Sequence, residues 1–235
     1  MNNNNHYRPP FYGSRRAFHP QPPPRPSPYV DGQSAISRSF RKKKAKRHQK
    51  SFCAGASVLI VRHNKANGDW QVVLGKDSMG SGHWSDFGGG AQRREKDHSC
   101  AAREVAEETH GIFSDLTSEA LYQASKVVFR FPSKKNPKKM LHYTTFVVAL
   151  DVPKNGATPL DAVFQQARAA LPEELLARED RAEKEQVALV DLQAILSEES
   201  PVELRSFFKQ RLQHLLPLIP QMLRKHTVRT VALGK

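Results

Sequence analysis

The sequence changes character near residue 51, and that break decides how much of the chain can fold. Half of the sixteen prolines fall before residue 29, three of them consecutively as Pro22, Pro23 and Pro24, after a polar tract at residues 2–5. Residues 1–52 also carry twelve Lys or Arg against a single acid, Asp31. Proline removes backbone donors, like charges repel, and large aliphatic residues are few, so burial cannot offset the entropy of ordering. Residues 1–51 are therefore read as a disordered, proline-rich, basic tail that ends in the block 41–47, Arg-Lys-Lys-Lys-Ala-Lys-Arg. The formal charge of +14 belongs mostly to this tail, because residues 53–235 carry a net of only +3.

Several classes fall away. No run approaches the roughly eighteen apolar residues that cross a bilayer, and the N-terminus has no apolar signal core. Two cysteines, Cys53 and Cys100, cannot build a disulfide scaffold and lack the sequence partners of a zinc site. A reducing intracellular compartment, cytoplasmic or nuclear, is expected. A mitochondrial presequence is disfavoured, since prolines interrupt any amphipathic helix in the tail.

Beyond residue 51 the patterning is that of a folded domain. Apolar, β-branched runs at 57–62, 70–75, 126–131, 143–150 and 186–191 read as strands, with a short strand at 84–87. Residues 97–109 read as a helix that Asp97 or Ser99 would cap, and a second helix opens at Pro159 or Asp161 and runs to about 170. Residues 201–224 repeat apolar side chains at helical spacing, with Pro217 and Pro220 expected to bend the end. Strands of mixed direction flanked by helices imply an α/β/α sandwich with a mixed sheet over 52–225, followed by a C-terminal tail, 226–235.

The helix at 97–109 is the informative element. On a wheel of about 100° per residue, Glu107, Glu104 and Glu108 fall within a fan about 100° wide. Ala101, Ala102, Val105 and Ala106 take the other side, and Arg103 flanks Glu107. A solvated acidic face is the plain alternative, but like charges at three- and four-residue spacing repel, and a hard divalent cation compensates them. Mg²⁺ or Mn²⁺ accepts carboxylate and phosphate oxygens together, which points to phosphate chemistry. The preceding Gly88, Gly89 and Gly90 leave room for close backbone approach.

The spacing Gly89, then Glu95, then Arg103-Glu104-Val105 and Glu107-Glu108 resembles the Nudix box, G-x5-E-x7-R-E-U-x-E-E-x-G-U, where U is aliphatic. The box matches closely, and the order of elements over about 52–225 matches more loosely. One departure is the glycine after the glutamates: His110 stands where it is usual, and Gly111 follows, so the helix is expected to end one residue late with Gly111 as its left-handed cap. The resemblance implies a diphosphatase in which Glu104, Glu107 and Glu108, with the Gly89 carbonyl, bind Mg²⁺ or Mn²⁺. It further implies that Arg103 orients the carboxylates, that Glu95 completes the network, and that Glu104 or Glu108 takes the proton of water. Glu183 and Glu185 are candidates for a second base or ligand, against the plain reading of a solvated loop.

The substrate is less constrained. Trp84 and Phe87 flank the glycines and could stack on a base, or belong to the core. Lys134 and Lys135, with Lys138 and Lys139, form a basic turn suited to phosphates or an RNA backbone. The isolated His83, His110 and His142 read as ordinary surface or core residues. The basic block 41–47 serves as an import signal, an RNA contact or a solubilising run, and the tail's Tyr and Phe residues could stack on single-stranded bases. Three substrates follow: a nucleoside diphosphate linked to another moiety, including the 5′ end or cap of RNA; a dinucleoside polyphosphate; or a diphosphoinositol polyphosphate. A Nudix-fold module that binds RNA without turnover is the alternative to an enzyme.

Overall fold

The computed structural model describes residues 51–64, 68–78, 82–150, 159–176, 183–225 and 228–233. The tail read as disordered lies outside these residues, except for its last residue, Ser51. The folded chain is organised on β1 (Phe52–His63), whose side chains are buried on both faces. Ala56, Val58 and Ile60 point into one layer, and Leu59 and Val61 into the other, as strict alternation along a strand requires.

Around β1 the described residues form a sheet of eight strands. β2 (Trp70–Asp77) and β4 (Phe87–Gly90) share one edge of β1, both antiparallel, while β6 (Met140–Ala149) pairs with its other edge in parallel. β3 (Trp84–Ser85) and β7 (Lys184–Asp191) pair with β2, and β5 (Ser125–Pro132) pairs with β6. Helices α1 (Asp97–Glu108), α2 (Ser118–Gln123) and α3 (Leu160–Ala169) cover one face through Cys100, Val105, Leu121 and Phe164. A one-turn helix, α4 (Glu173–Leu176), follows α3. On the opposite face lie α5 (Ser206–Leu215) and α6 (Ile219–Arg224), which contribute Phe208, Leu212, Leu215, Ile219 and Met222. This is the expected α/β/α sandwich. Among the described residues no helix is long and apolar enough to cross a membrane.

Four local expectations are corrected. The helix expected from 201 starts only at Ser206, because residues 203–205 run extended and exchange backbone hydrogen bonds with Trp84 (Trp84 N–H to the Glu203 carbonyl, 2.8 Å). Pro217 and Pro220 do break it, into α5, a 3₁₀ turn and α6. Neither Asp97 nor Ser99 caps α1: Lys96 holds the cap position without a side-chain bond, and the Asp97 carboxylate turns to His142 and Thr144. The helix does not run late either. Its last residue is Glu108; Gly111 is left-handed as expected (φ 78°), but His110 before it is left-handed too (φ 53°), and Gly111 N–H reaches back to the Ala106 carbonyl at 3.1 Å. His110 thus performs the left-handed turn that glycine usually makes, with its ring against Phe164 (centroids 4.9 Å apart).

The fourth correction concerns residues 226–235. β8 (Val228–Ala232) pairs in parallel with β5, and Leu233 enters the core on the α5 side. Five residues carry little periodicity of their own, and the strand needs the free edge of β5 to form. Deleting 226–235 is expected to remove at least the burial of Leu233, about 1.5–3 kcal/mol, and so lower the melting temperature by about 3–12 °C. A truncated protein that melts with the full chain would show that β8 contributes nothing.

Candidate active site

The glycine strand β4 sets the geometry. In its antiparallel register with β1, Gly88 faces Ser57 and Gly89 faces Ala56. A Cβ on Gly88 would lie 2.3 Å from the Ser57 Cβ, and one on Gly89 would lie 2.6 Å from a carboxylate oxygen of Glu104. Glycine at 89 is what allows a helix carboxylate to rest against the strand backbone.

From α1 the guanidinium of Arg103 gathers the neighbouring acids. Its Nε and Nη2 donate to the two oxygens of Glu95 (2.9 and 3.0 Å), a bidentate pair, and Nη2 also donates to the Gly90 carbonyl at 3.0 Å. Nη1 reaches Glu104 at 2.8 Å and Glu107 at 3.0 Å. Glu95 is itself fixed by the Gln92 N–H, 2.8 Å. The bond from Arg103 holds the Glu95 carboxyl below the usual range, and Glu95 in turn raises the Arg103 affinity for its proton.

Glu108 stands apart from that set. It turns inward, 2% exposed, and accepts the Gly88 N–H at 2.6 Å. Lys184 Nζ sits 3.6 Å from its other oxygen, and this lysine is equally buried, held by Asp77 (2.5 Å) and the Ser85 hydroxyl (2.8 Å). Burial pushes the Glu108 carboxyl well above the usual carboxylate range; Lys184 opposes the shift, and Glu183 and Glu104 add to it. Burial also raises Glu104, against the pull of Arg103 and with repulsion from Glu107 and Glu183. Lys184 is raised in spite of its burial, through Glu108 and Asp77.

The expected residues therefore fall into two groups. Glu95, Glu104 and Glu107 gather on Arg103 beside Gly89, Glu108 turns inward from the same helix to Gly88 N–H and Lys184, and Glu183 acts electrostatically on both Glu104 and Glu108. Glu185 instead pairs with Lys76 at 2.6 Å. Phe87 is fully enclosed in the α1-side core beside Phe113, so its ring has no face to offer a ligand. Trp84 packs against the α5-side core. Lys134 and Lys135 are exposed on the β5–β6 turn and line a cleft of about 790 Å³ with Phe131, Leu141 and Phe207.

Two features escaped the sequence reading. One is Lys184, hidden between two acids that drew the attention. The other is Arg211 on α5, which forms a bidentate pair with Asp86 (2.8 and 2.9 Å) and also bonds Ser57 and Thr145. Both partners are buried, and the guanidinium lies 4.5 Å from the centroid of the Tyr143 ring. Beside them a smaller pocket of about 260 Å³ opens under Gly88, Gly89 and Gly90, walled by Tyr143, Phe207 and Phe208.

The donor set of the cluster is oxygen throughout, and Arg103 and Lys184 are outnumbered by Glu95, Glu104, Glu107, Glu108 and Glu183. Hard divalent cations fit such a site.

Compared with models of known families, residues 53–192 match the NUDIX domain. The chain belongs to the Nudix family. It is accordingly a hydrolase of phosphoanhydride bonds, and enzymes of this family generally need a divalent metal. A search of curated proteins finds no match. Among solved structures this Nudix chain is similar to the Ap4A hydrolase of C. elegans in a binary complex (16% identity, 71% of this chain and 98% of that one, TM-score 0.40). It is also similar to the NUDIX domain of Shewanella oneidensis NrtR complexed with ADP ribose (12%, 77% and 96%, TM-score 0.40) and to the Nudix hydrolase RenU of M. smegmatis (16%, 75% and 93%, TM-score 0.40).

Proposed function

We propose that this Nudix hydrolase cleaves a diphosphate joining a nucleoside to another moiety, with the 5′ end or cap of RNA as the favoured substrate. The observation that carries this reading is a pair of clefts sharing one wall residue. The 260 Å³ pocket is lined by the glycine strand that carries Gly89 and has aromatic walls, and Phe207 also lines the 790 Å³ cleft rimmed by Lys134 and Lys135. The first is close to the lower limit of small-ligand sites, about 300 Å³, and the second lies well inside their range. A bipartite substrate with its diphosphate between the two parts suits this arrangement. The lysine rim and the basic, aromatic tail favour a polyanionic second part.

In this reading Glu104, Glu107 and Glu108, with the Gly89 carbonyl, hold Mg²⁺ or Mn²⁺, and the cation when bound neutralises the diphosphate and polarises water. Arg103 keeps Glu104 and Glu107 in one arrangement, and Glu95 keeps Arg103 there. A carboxylate oxygen of Glu104 or Glu108 takes the proton of the attacking water, the raised proton affinity of both suiting that role. Glu183, facing both, is the second base. Lys134 and Lys135 bind phosphates of the distal part. A dinucleoside polyphosphate also fits two clefts, and a diphosphoinositol polyphosphate would draw on the lysine turn alone.

A hydrolysis screen with Mg²⁺ and Mn²⁺ over capped RNA, 5′-polyphosphorylated RNA, dinucleoside polyphosphates, nucleotide sugars and diphosphoinositols tests the reading. The highest kcat/KM is expected on RNA, with KM raised and the salt dependence reduced in Lys134→Ala/Lys135→Ala. Preference for a small dinucleotide, indifferent to both lysines, would overturn the RNA assignment while leaving the diphosphatase intact.

A further inference from the structure

A second group of metal-ligating side chains lies away from the glutamates. Cys53 near the start of β1, Asp97 at the first position of α1 and His142 in β6 come from three elements, yet their ligand atoms all lie within 4.8 Å of one another. Cys53 and His142 are neighbours in the parallel β1–β6 register, and a bulge between Cys53 and Gly55 follows at once. His142 Nε2 stands 3.1 Å from Asp97 Oδ1. We infer that Cys53, Asp97 and His142 bind a Zn²⁺ ion in a site separate from the carboxylate cluster.

The chemistry of the three donors favours this ion. One thiolate, one imidazole and one carboxylate form a borderline set that suits Zn²⁺ and does not suit Mg²⁺. Bonds of about 2.0–2.3 Å in a tetrahedron place ligand atoms about 3.3–3.8 Å apart, so the side chains need to close only slightly. All three residues are partly exposed, which leaves an entry route and a fourth position for water.

The surroundings hold the ligands in place. The Ser51 hydroxyl is 3.1 Å from His142 Nδ1, and Thr144 Oγ1 donates to Asp97 Oδ2 at 2.6 Å. If His142 donates Nδ1–H to Ser51, its Nε2 lone pair faces the Asp97 oxygen, and two acceptors at that distance require a proton or a cation between them. Outer hydrogen bonds of this kind fix the ring and carboxylate in ligating metal sites. Binding exchanges protons for the ion: the Cys53 thiol proton, and any proton shared by His142 and Asp97, leave for solvent. The ion then ties the N-terminus of the box helix to two strands. Sequence spacing could not show this, because Cys53, Asp97 and His142 are separated by more than forty residues at each step.

Cobalt substitution in the full-length, chelator-stripped protein tests the site, because a thiolate bound to Co²⁺ gives a near-ultraviolet charge-transfer band that an all-oxygen site cannot give. One equivalent of Co²⁺ is expected to produce this band in the wild type, Zn²⁺ to abolish it by displacement, and Zn²⁺ to raise the melting temperature. Cys53→Ser should lose the band. Cys100→Ala, which removes the other cysteine, and Glu107→Gln should both keep it. Thr144→Val preserves the side-chain shape and should weaken Zn²⁺ about 10–100-fold in competition with a chromophoric chelator. No band in the wild type, or one that survives Cys53→Ser and vanishes in Cys100→Ala, would overturn the proposal. Because no readout is hydrolysis, failure here leaves the diphosphatase reading untouched.

Discussion

Glu108→Gln is expected to lower kcat by about 10²–10⁴-fold and yet leave the metal-free protein at least as stable as the wild type at neutral pH. The amide retains an oxygen for the Gly88 N–H, and Lys184 retains Asp77 and Ser85. What disappears is a buried carboxyl whose proton affinity is raised in the folded state, first by burial. The sign of the effect follows from linkage. A carboxyl with its folded pKa above its unfolded value, about 4.3 for glutamate, contributes its stability fully below the unfolded pKa. That contribution is lost as pH rises through the folded value. The metal-free wild type should therefore weaken relative to Glu108→Gln between about pH 4 and the raised value. Saturating Mg²⁺ or Mn²⁺ should reverse the order, since in the proposed site Glu108 is a ligand and its loss weakens cation binding. Glu107→Gln should lose turnover similarly, through a residue that shares Arg103 with Glu104 and is less enclosed. Melting curves across pH, with and without metal, and rates on the best substrate check both variants. Wild-type rates in both would remove the carboxylate cluster from the chemistry.

The legible parts of this site are those that one element carries. Glu104, Glu107 and Glu108 share a face because helical periodicity alone puts them there, and the partner of Arg103 lies only eight residues earlier, at Glu95. Strand β1 was readable for the same reason, as a run of apolar residues buried on both faces. Contacts made by tertiary packing left no such trace. Lys184 meets Glu108 only because β7 pairs with β2 and brings its first residue under α1. Phe87 looked available beside its glycines, but the alternation of β4 turns it into the α1-side core. His110 stands where the box usually has glycine, and Gly111 is left-handed as expected, but the left-handed turn already begins at His110. The backbone kept the turn and placed a non-glycine residue in it.

Arg211→Met should cause the largest loss of stability among single substitutions at the site. The guanidinium is 3% exposed and donates to both oxygens of Asp86, itself 2% exposed, across 125 residues of sequence. Removing it leaves a buried carboxylate uncompensated, at about 3–5 kcal/mol, which corresponds to a fall of roughly 6–20 °C in melting temperature for a domain of this size. The pair itself need not be stabilising, since desolvating two charges offsets much of their attraction. Arg211→Met combined with Asp86→Leu should therefore recover most of the loss. The two variants separate stability from binding. Asp86 directly precedes the glycine strand, and Arg211 lines the small pocket beneath it, so the double variant should melt near the wild type but bind substrate more weakly, with KM raised more than kcat is lowered. If the single variant melts with the wild type, the Asp86–Arg211 pair does not hold the fold together. If the double variant melts as low as the single one, the deficit lies in lost contacts to Ser57, Thr145 and Tyr143 rather than in an unpaired charge.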